Sequence, residues 1–104
     1  MIRYMSEINE KKMLISIIGT LEAVKKGALS IAESEKFLFS PHMIDRLKEK
    51  NYRGSLIEIL EKGCELEDID SLLPQDLEKY IDGLKSEALE EMKKYEPFEQ
   101  KFWI

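Results

Sequence analysis

The stretch MLISIIGTLEAVKK, residues 13–26, decides the fold because its apolar residues recur at the spacing of an α-helix. They form one broad stripe, made of Met13, Leu14, Ile17, Ile18, Leu21 and Val24. Ser6 is a suitable N-cap, and Gly27 suits the position after the last helical turn. The sequence therefore predicts a first helix from Ser6 to about Lys26, preceded by a short strand or an extended arm at residues 1–5.

Small residues lie along another face of the same predicted helix. A glycine inside a helix costs about 1 kcal/mol relative to alanine, so Gly19 needs a packing reason. With Ser16 and Ala23 it makes a flat strip at helical spacing. We interpret this strip as a place where another helix approaches closely, in preference to a ligand site.

Capping signals mark the next two helices. Ser30 and Glu33 have the spacing of a capping box, in which each side chain accepts a hydrogen bond from the other residue's backbone amide. This spacing predicts a second helix over residues 31–39. The Ser-Pro pair that follows starts a third helix, which ends near Asn51, because serine caps well and proline is tolerated in the first turn.

Two more helices are predicted in the C-terminal half. Ser55 and Glu58 repeat the capping-box spacing and predict a short helix that ends at Gly63. Residues 74–95 carry a second apolar stripe, which predicts a long helix that Pro97 ends. The stripe consists of Leu77, Ile81, Leu84, Ala88, Met92 and Tyr95.

The whole chain, residues 1–104, is predicted to be a single all-α domain. Its 43% hydrophobic and 36% charged content is typical of packed amphipathic helices. We expect a compact array of about five helices, with two long helices at the centre and shorter helices packed around them. The predicted core consists of Leu14, Ile17, Ile18, Leu21, Phe37, Leu38, Ile44, Leu47, Ile57, Leu60, Leu77, Ile81 and Leu84.

A cluster of acids follows the predicted helix that ends at Gly63 and extends into the start of the predicted long helix. Residues 63–78 contain no lysine or arginine but six acids, which we call the acidic segment: Glu65, Glu67, Asp68, Asp70, Asp76 and Glu78. The chain has 21 acids and 16 bases, so without these six the remainder would carry a slight positive charge. Such a localised negative field steers a basic partner and repels nucleic acid.

Apolar side chains alternate with these acids. They are Leu66, Ile69, Leu72 and Leu73, at spacings that predict one or two helical turns with an apolar side. Two interpretations stay open. The acids are a solvated face that keeps the protein soluble, or they are a docking surface for a basic protein, to which outward-facing leucines add buried contact.

The C-terminal tail, residues 97–104, is unusually apolar for a chain end. It contains Phe98, Phe102, Trp103 and Ile104. Apolar surface of this kind either folds back onto the body or meets another chain. The second interpretation predicts a homodimeric structural or regulatory protein, with oligomer contacts at Phe98, Phe102 and Trp103.

Residue types that carry out chemistry are scarce. His42 is the only histidine and Cys64 the only cysteine, so no internal disulfide and no paired metal-ligand spacing exists. Phosphate-binding glycine motifs are absent as well. We therefore predict no catalytic residue, no metal and no cofactor, in a non-enzymatic protein. A catalytic His42 would need a pocket with a carboxylate nearby, and Cys64 is expected to fill the core because neighbouring carboxylates disfavour its thiolate.

Nucleic acid and membranes are not expected partners. The best basic cluster, at residues 46–53, is interrupted by Glu49 in a chain whose isoelectric point is about 5.0. The apolar run at residues 13–18 is far too short to cross a bilayer, and no signal peptide precedes it. With a single cysteine, these features predict a protein of the cytoplasm.

Two stretches resemble a known family. IIGTLEAVKKGALSIAESEKFLFSP, residues 17–41, and EKGCELEDIDSLLPQDLEKYI, residues 61–81, are similar to a family of short, functionally uncharacterised bacterial proteins of about this length. The resemblance covers most of the chain, apart from the first few residues and the aromatic tail. It implies a bacterial cytoplasmic protein with a domain of unknown function, and it supplies no active-site residue.

The leading functional hypothesis is a non-enzymatic protein-binding domain. In its concrete form, the chain is a bacterial immunity-type protein that covers a basic toxin domain, such as a nuclease, with the acidic segment. Small size, the lack of catalytic motifs and localised acidity favour this hypothesis. The homodimeric protein described above is the alternative.

Overall fold

The computed structural model describes residues 2–98, with side chains from residue 7 onward. This part of the chain contains six α-helices, one 3-10 turn and no strand. The elements are α1 (Ile2–Lys25), α2 (Ile31–Phe37), α3 (Pro41–Glu49), α4 (Gly54–Gly63), α5 (Leu66–Leu72), the 3-10 turn (Pro74–Asp76) and α6 (Leu77–Met92). Four of these helices have nine residues or more, and two have seven. The all-α class is confirmed, while the predicted number of about five helices is slightly off.

Helix α1 is longer than predicted at its N-terminus. It begins at Ile2, so the strand or arm predicted for residues 1–5 is wrong over residues 2–5, the part of it that the structure describes. No glycine or proline interrupts this part of the sequence, and extending a formed helix costs far less than starting one. The other end follows the prediction. Gly27 has a φ of 76°, and the Ala28 amide donates to the Ala23 carbonyl at 2.8 Å, as in a Schellman motif.

One of the two predicted capping boxes is confirmed and the other is wrong. Ser30 and Glu33 accept hydrogen bonds from each other's backbone amides, both at 3.0 Å. At α4, the Ser55 hydroxyl instead donates to the Glu91 carboxylate of α6 at 2.6 Å, and Arg53 is an N-cap without a side-chain hydrogen bond. Hydrogen bonds to a carboxylate are stronger than neutral ones, and this one ties α4 to α6.

The core lies between α1, α4 and α6, and the pair α1 and α6 makes the most extensive helix–helix contact. Most predicted core residues are buried, namely Leu14, Ile17, Leu21, Leu38, Leu47, Ile57, Leu60, Ile81 and Leu84. Three others are partly buried against them: Ile18, Ile44 and Leu77. The predicted core omitted several residues that are buried as well, including Phe39, Leu56, Ile59, Leu66, Ala88 and Tyr95.

Phe37 is the predicted core residue that the structure places on the surface. It is 60% exposed, so its assignment to the core is wrong. Helix α2 ends at Phe37, two residues before the predicted end, and the chain then turns inward. The amides of Leu38 and Phe39 both donate to the Ser34 carbonyl at 2.9 Å. This turn buries the Phe39 ring, which is 1% exposed, in place of the Phe37 ring.

The small-residue strip of α1 is uncovered in the described part of the chain. Gly19 is exposed, and a Cβ built on it would have no neighbouring heavy atom within 4 Å. A side chain at Gly19 would therefore meet no other helix of residues 2–98, although α2 borders the strip on one side. The predicted close helix contact is therefore not found there, and the strip lines a surface groove instead.

Candidate protein-docking surface

The acidic segment forms one contiguous stretch of chain on the surface. Its first four acids lie on or directly before α5, Asp76 ends the 3-10 turn, and Glu78 lies in the first turn of α6. All six side chains are exposed. Leu66 is only 1% exposed and anchors α5 to the core. The first four acids are therefore held at a folded helix, as the spacing predicted, but of the predicted apolar side only Leu66 is fully buried.

The acids of this segment have no direct ion-pair partner in the described part of the chain, although the charges of Glu78 and Glu65 act on Lys25 and Lys62. None of its six acids forms an ion pair with a lysine or arginine of residues 7–98. Carboxylates on neighbouring elements are paired: Asp82 accepts from Lys25 at 2.8 Å. Glu87 likewise accepts from Lys62 at 2.8 Å. The field of the acidic segment therefore extends into solvent, where it can act on a partner.

Two leucines at the end of α5 face solvent beside these acids. Leu72 is 76% exposed and Leu73 is 45% exposed. Fully burying a leucine side chain contributes about 2 kcal/mol. A protein that covers this end of α5 would gain apolar contact as well as charge pairing, which is the combination found at protein interfaces.

Helix α2 places another carboxylate, Glu35, beside the acidic segment. The half-buried Glu35 has a raised pKa, first because of burial and then because Glu67 and Asp68 lie close by. The same surroundings act on Cys64, whose pKa is raised by burial and, to a lesser degree, by carboxylates of which Glu35 is the strongest. The thiolate of this cysteine is therefore disfavoured, as expected from the sequence.

Tyr80 connects α6 to the end of α4 beneath the acidic segment. Its hydroxyl donates to the Lys62 carbonyl at 2.8 Å and lies 3.4 Å from Oε1 of Glu65. Burial, followed by the charge of Glu65, raises the pKa of Tyr80 to about 12. The tyrosine therefore stays neutral at physiological pH, and its bond to the Lys62 carbonyl ties α6 to the end of α4.

Replacing Glu35 tests the electrostatic crowding between α2 and α5. A raised pKa means that the native state holds this proton more tightly than the unfolded state, so ionisation of Glu35 lowers the free energy of unfolding as pH rises. We expect Glu35→Gln to stabilise the protein at neutral pH, and to do so less at a pH below the ordinary glutamate range. Urea denaturation at both pH values measures this difference. Glu58→Gln, at an exposed site on α4, is the control, and an equal gain for Glu35→Gln at both pH values would contradict the crowding.

The remaining predicted positions do not assemble into a site. His42 is exposed at the start of α3 and does not line the groove at the small-residue strip. Phe98 is 39% exposed, and the Lys11 ammonium lies 4.6 Å from the centroid of its ring. Phe102 and Trp103 lie outside the described residues, so an oligomer contact at the tail stays a prediction.

A buried polar cluster that the sequence analysis missed joins α1, α4 and the turn after α6. The Glu10 carboxylate is 3% exposed and accepts from the Tyr95 hydroxyl at 2.6 Å. It also lies 3.5 Å from Nε of Arg53, whose guanidinium stacks 4.2 Å from the centroid of the Tyr95 ring. Glu10 precedes Leu14 by four residues and so continues the apolar stripe of α1. This helical spacing was the feature of the sequence that could have predicted the burial of Glu10.

Neither a metal-binding cluster nor a membrane-spanning helix is found in the described residues. No group of three or more histidine, cysteine, aspartate or glutamate side chains in that part of the chain could hold a metal ion. None of its helices is long and apolar enough to cross a membrane.

Comparison with known proteins identifies the family of this chain but does not indicate an activity. No curated protein and no solved structure matches the chain. One family model, described as "Protein of unknown function (DUF3969)", matches residues 5–104 and thus includes the aromatic tail. The resemblance to a functionally uncharacterised family is confirmed, and the chain belongs to the DUF3969 family.

Proposed function

We propose that this chain is a non-enzymatic protein-binding domain that docks a basic protein on its acidic segment. The observation that supports this best is that six exposed acids without ion pairs flank two exposed leucines on one folded stretch. The long-range field would accelerate encounter with a positively charged partner. Burial of Leu72 and Leu73 would then hold the complex together.

A bacterial immunity-type protein is the concrete form of this proposal. In the cytoplasm of a bacterial cell, it would cover a basic toxin domain, such as a nuclease, and so keep nucleic acid from the toxin. An acidic surface is suited to this task, because it presents carboxylates to the same cationic side chains that bind phosphates.

The test starts from the protein that co-purifies with the full chain from its own cells. That protein is identified, produced in pure form and mixed with a charge-neutral variant carrying Glu65→Gln, Glu67→Gln, Asp68→Asn and Asp70→Asn. We expect a basic partner, whose association slows about tenfold at low salt and loses most of its salt dependence in this variant. Stopped-flow measurements at several ionic strengths give both quantities.

A matched variant removes the same charge elsewhere. It carries Asp45→Asn, Glu49→Gln, Glu58→Gln and Glu90→Gln, all at exposed positions outside the acidic segment. Its association should slow far less. Equal slowing in the two variants would mean that only net charge matters, and unchanged rates in both would overturn the proposal.

The leucines are tested separately from the acids. Leu72→Ser with Leu73→Ser should leave the association rate nearly unchanged and raise the dissociation rate about tenfold, because short-range apolar contact acts after encounter. Both residues are exposed, so the fold should lose little stability. Unchanged dissociation would remove these leucines from the docking surface.

A further inference from the structure

A groove of about 640 Å³ lies between α1 and α2, on a part of the surface that contains no residue of the acidic segment. Helix α1 lines it with the small side chains of Ser16 and Ala23 and with Gly19, which has none. Helix α2 contributes Phe37, whose ring is 60% exposed. The exposed Phe37 side chain therefore lies beside a face of α1 that carries only small residues.

A buried hydroxyl without a partner lies in the same groove. Thr20 is 6% exposed, and its hydroxyl forms no hydrogen bond within residues 2–98. The buried Ser34 of α2, by contrast, donates to the Ile31 carbonyl at 2.6 Å. Buried polar groups are nearly always hydrogen-bonded. The Thr20 hydroxyl therefore points to a missing group that would occupy the groove.

The groove is complementary to itself in shape and in charge, so a second copy of the same surface could pack against it. Phe37 is a projecting group, and the strip around Gly19 is a hollow that can receive one. Glu33 and Lys36 both line the groove, so it also carries one acid and one base. In a two-fold symmetric interface the same patch meets itself in the reverse direction. Phe37 of each copy would then enter the strip of the other, and each Glu33 would meet the opposite Lys36.

We infer that this groove is the interface of a homodimer, in which the α1–α2 face of one copy packs against the same face of a second copy. Gly19 lies in the strip that the Phe37 ring of the second copy enters, since a residue without a side chain allows the closest contact. The Ser16 hydroxyl of the second copy supplies a polar group for Thr20. This interface differs from a contact through the aromatic tail and is independent of any basic partner.

Gly19→Gln tests the interface without lowering the stability of the monomer. The new side chain has open space in a single copy but would stand between two. Sedimentation of the full chain, from low to high micromolar concentration, should show a reversible dimer that Gly19→Gln weakens about tenfold or more. Gly83→Gln is the matched control, because Gly83 is also exposed, lies inside a helix and has open space around it. Both changes should raise the melting temperature of the monomer by a few degrees, and only the first should weaken the dimer.

Further variants separate this interface from other contacts. Phe37→Ser should weaken the dimer as Gly19→Gln does, and Thr20→Val should weaken it while stabilising the monomer, because it removes an unpaired hydroxyl. A wild-type chain that stays monomeric throughout overturns the inference. So does equal weakening by Gly19→Gln and Gly83→Gln. A dimer that survives Gly19→Gln but is lost with Phe102→Ser and Trp103→Ser would place the contact at the tail and likewise overturn it.

Discussion

Arg53→Met should lower the free energy of unfolding by about 3 kcal/mol. The guanidinium lies 3.5 Å from Oε1 of Glu10 and 3.4 Å from Oε2 of Glu7, and it stacks on the Tyr95 ring. Glu10 is 3% exposed, so the change leaves a carboxylate buried without its cation. Removing one partner of a buried ion pair costs far more stability than replacing both partners by apolar residues. Urea denaturation followed by circular dichroism measures the loss.

Two comparisons identify the cause of this loss. Arg46→Met, on the exposed side of α3 and outside any ion pair of residues 7–98, should change the stability by less than about 0.5 kcal/mol. The double variant Glu10→Leu with Arg53→Met should be more stable than Arg53→Met alone, because it removes the unpaired carboxylate as well. If the double variant is the less stable of the two, the loss comes from packing of the arginine and not from the buried charge.

This cluster also marks what local sequence patterns cannot predict. The position of Glu10 on the apolar stripe of α1 is visible in the sequence, and it indicates burial. Its partners are not visible, because Arg53 lies 43 residues away and Tyr95 lies 85 residues away. Helical periodicity reports which side of a helix is inward, whereas the identity of the facing element depends on how the helices pack.

Local signals predicted the helix ends where no distant group competed. Gly27 closes α1, and the Ser30–Glu33 capping box opens α2, since both depend only on neighbouring backbone groups. Ser55 had the same local spacing, yet its hydroxyl is bound to Glu91, 36 residues further along the chain. A distant carboxylate thus replaced the local cap, and no pattern within four residues could have indicated it.

The exposure of the acids in the acidic segment could be predicted from the sequence, but the exposure of the apolar residues among them could be predicted only in part. Charges are costly to bury without a partner, so the exposure of all six acids followed from their number and the lack of nearby bases. The apolar residues among them divided in a way that spacing alone did not show. Leu66 is buried, whereas Leu72 and Leu73 point outward because α5 ends there and the chain turns at Pro74. The outward pair is the part of the candidate surface that required the structure.

Gly63→Ala should lower the free energy of unfolding by about 3 kcal/mol, because this glycine lies against a buried ring. A Cβ built on Gly63 would be less than 3 Å from three atoms of Phe39. Phe39 is 1% exposed and is one of the largest fully buried side chains, and protein cores are close-packed, so the ring has little room to move. The alanine must therefore push α4 away from Phe39 or force the ring out of its preferred rotamer.

Gly83→Ala separates this clash from the ordinary effect of alanine in a helix. Both glycines are helical, but a Cβ on Gly83 meets nothing within 4 Å, so this change should raise stability by about 1 kcal/mol. The two substitutions are chemically identical and should have opposite signs. Phe39→Leu provides a second comparison, since a smaller side chain leaves room for the new methyl group. In that background, Gly63→Ala should cost much less than it does beside phenylalanine. An unchanged cost would mean that strain at the end of α4, and not contact with the ring, explains the need for glycine.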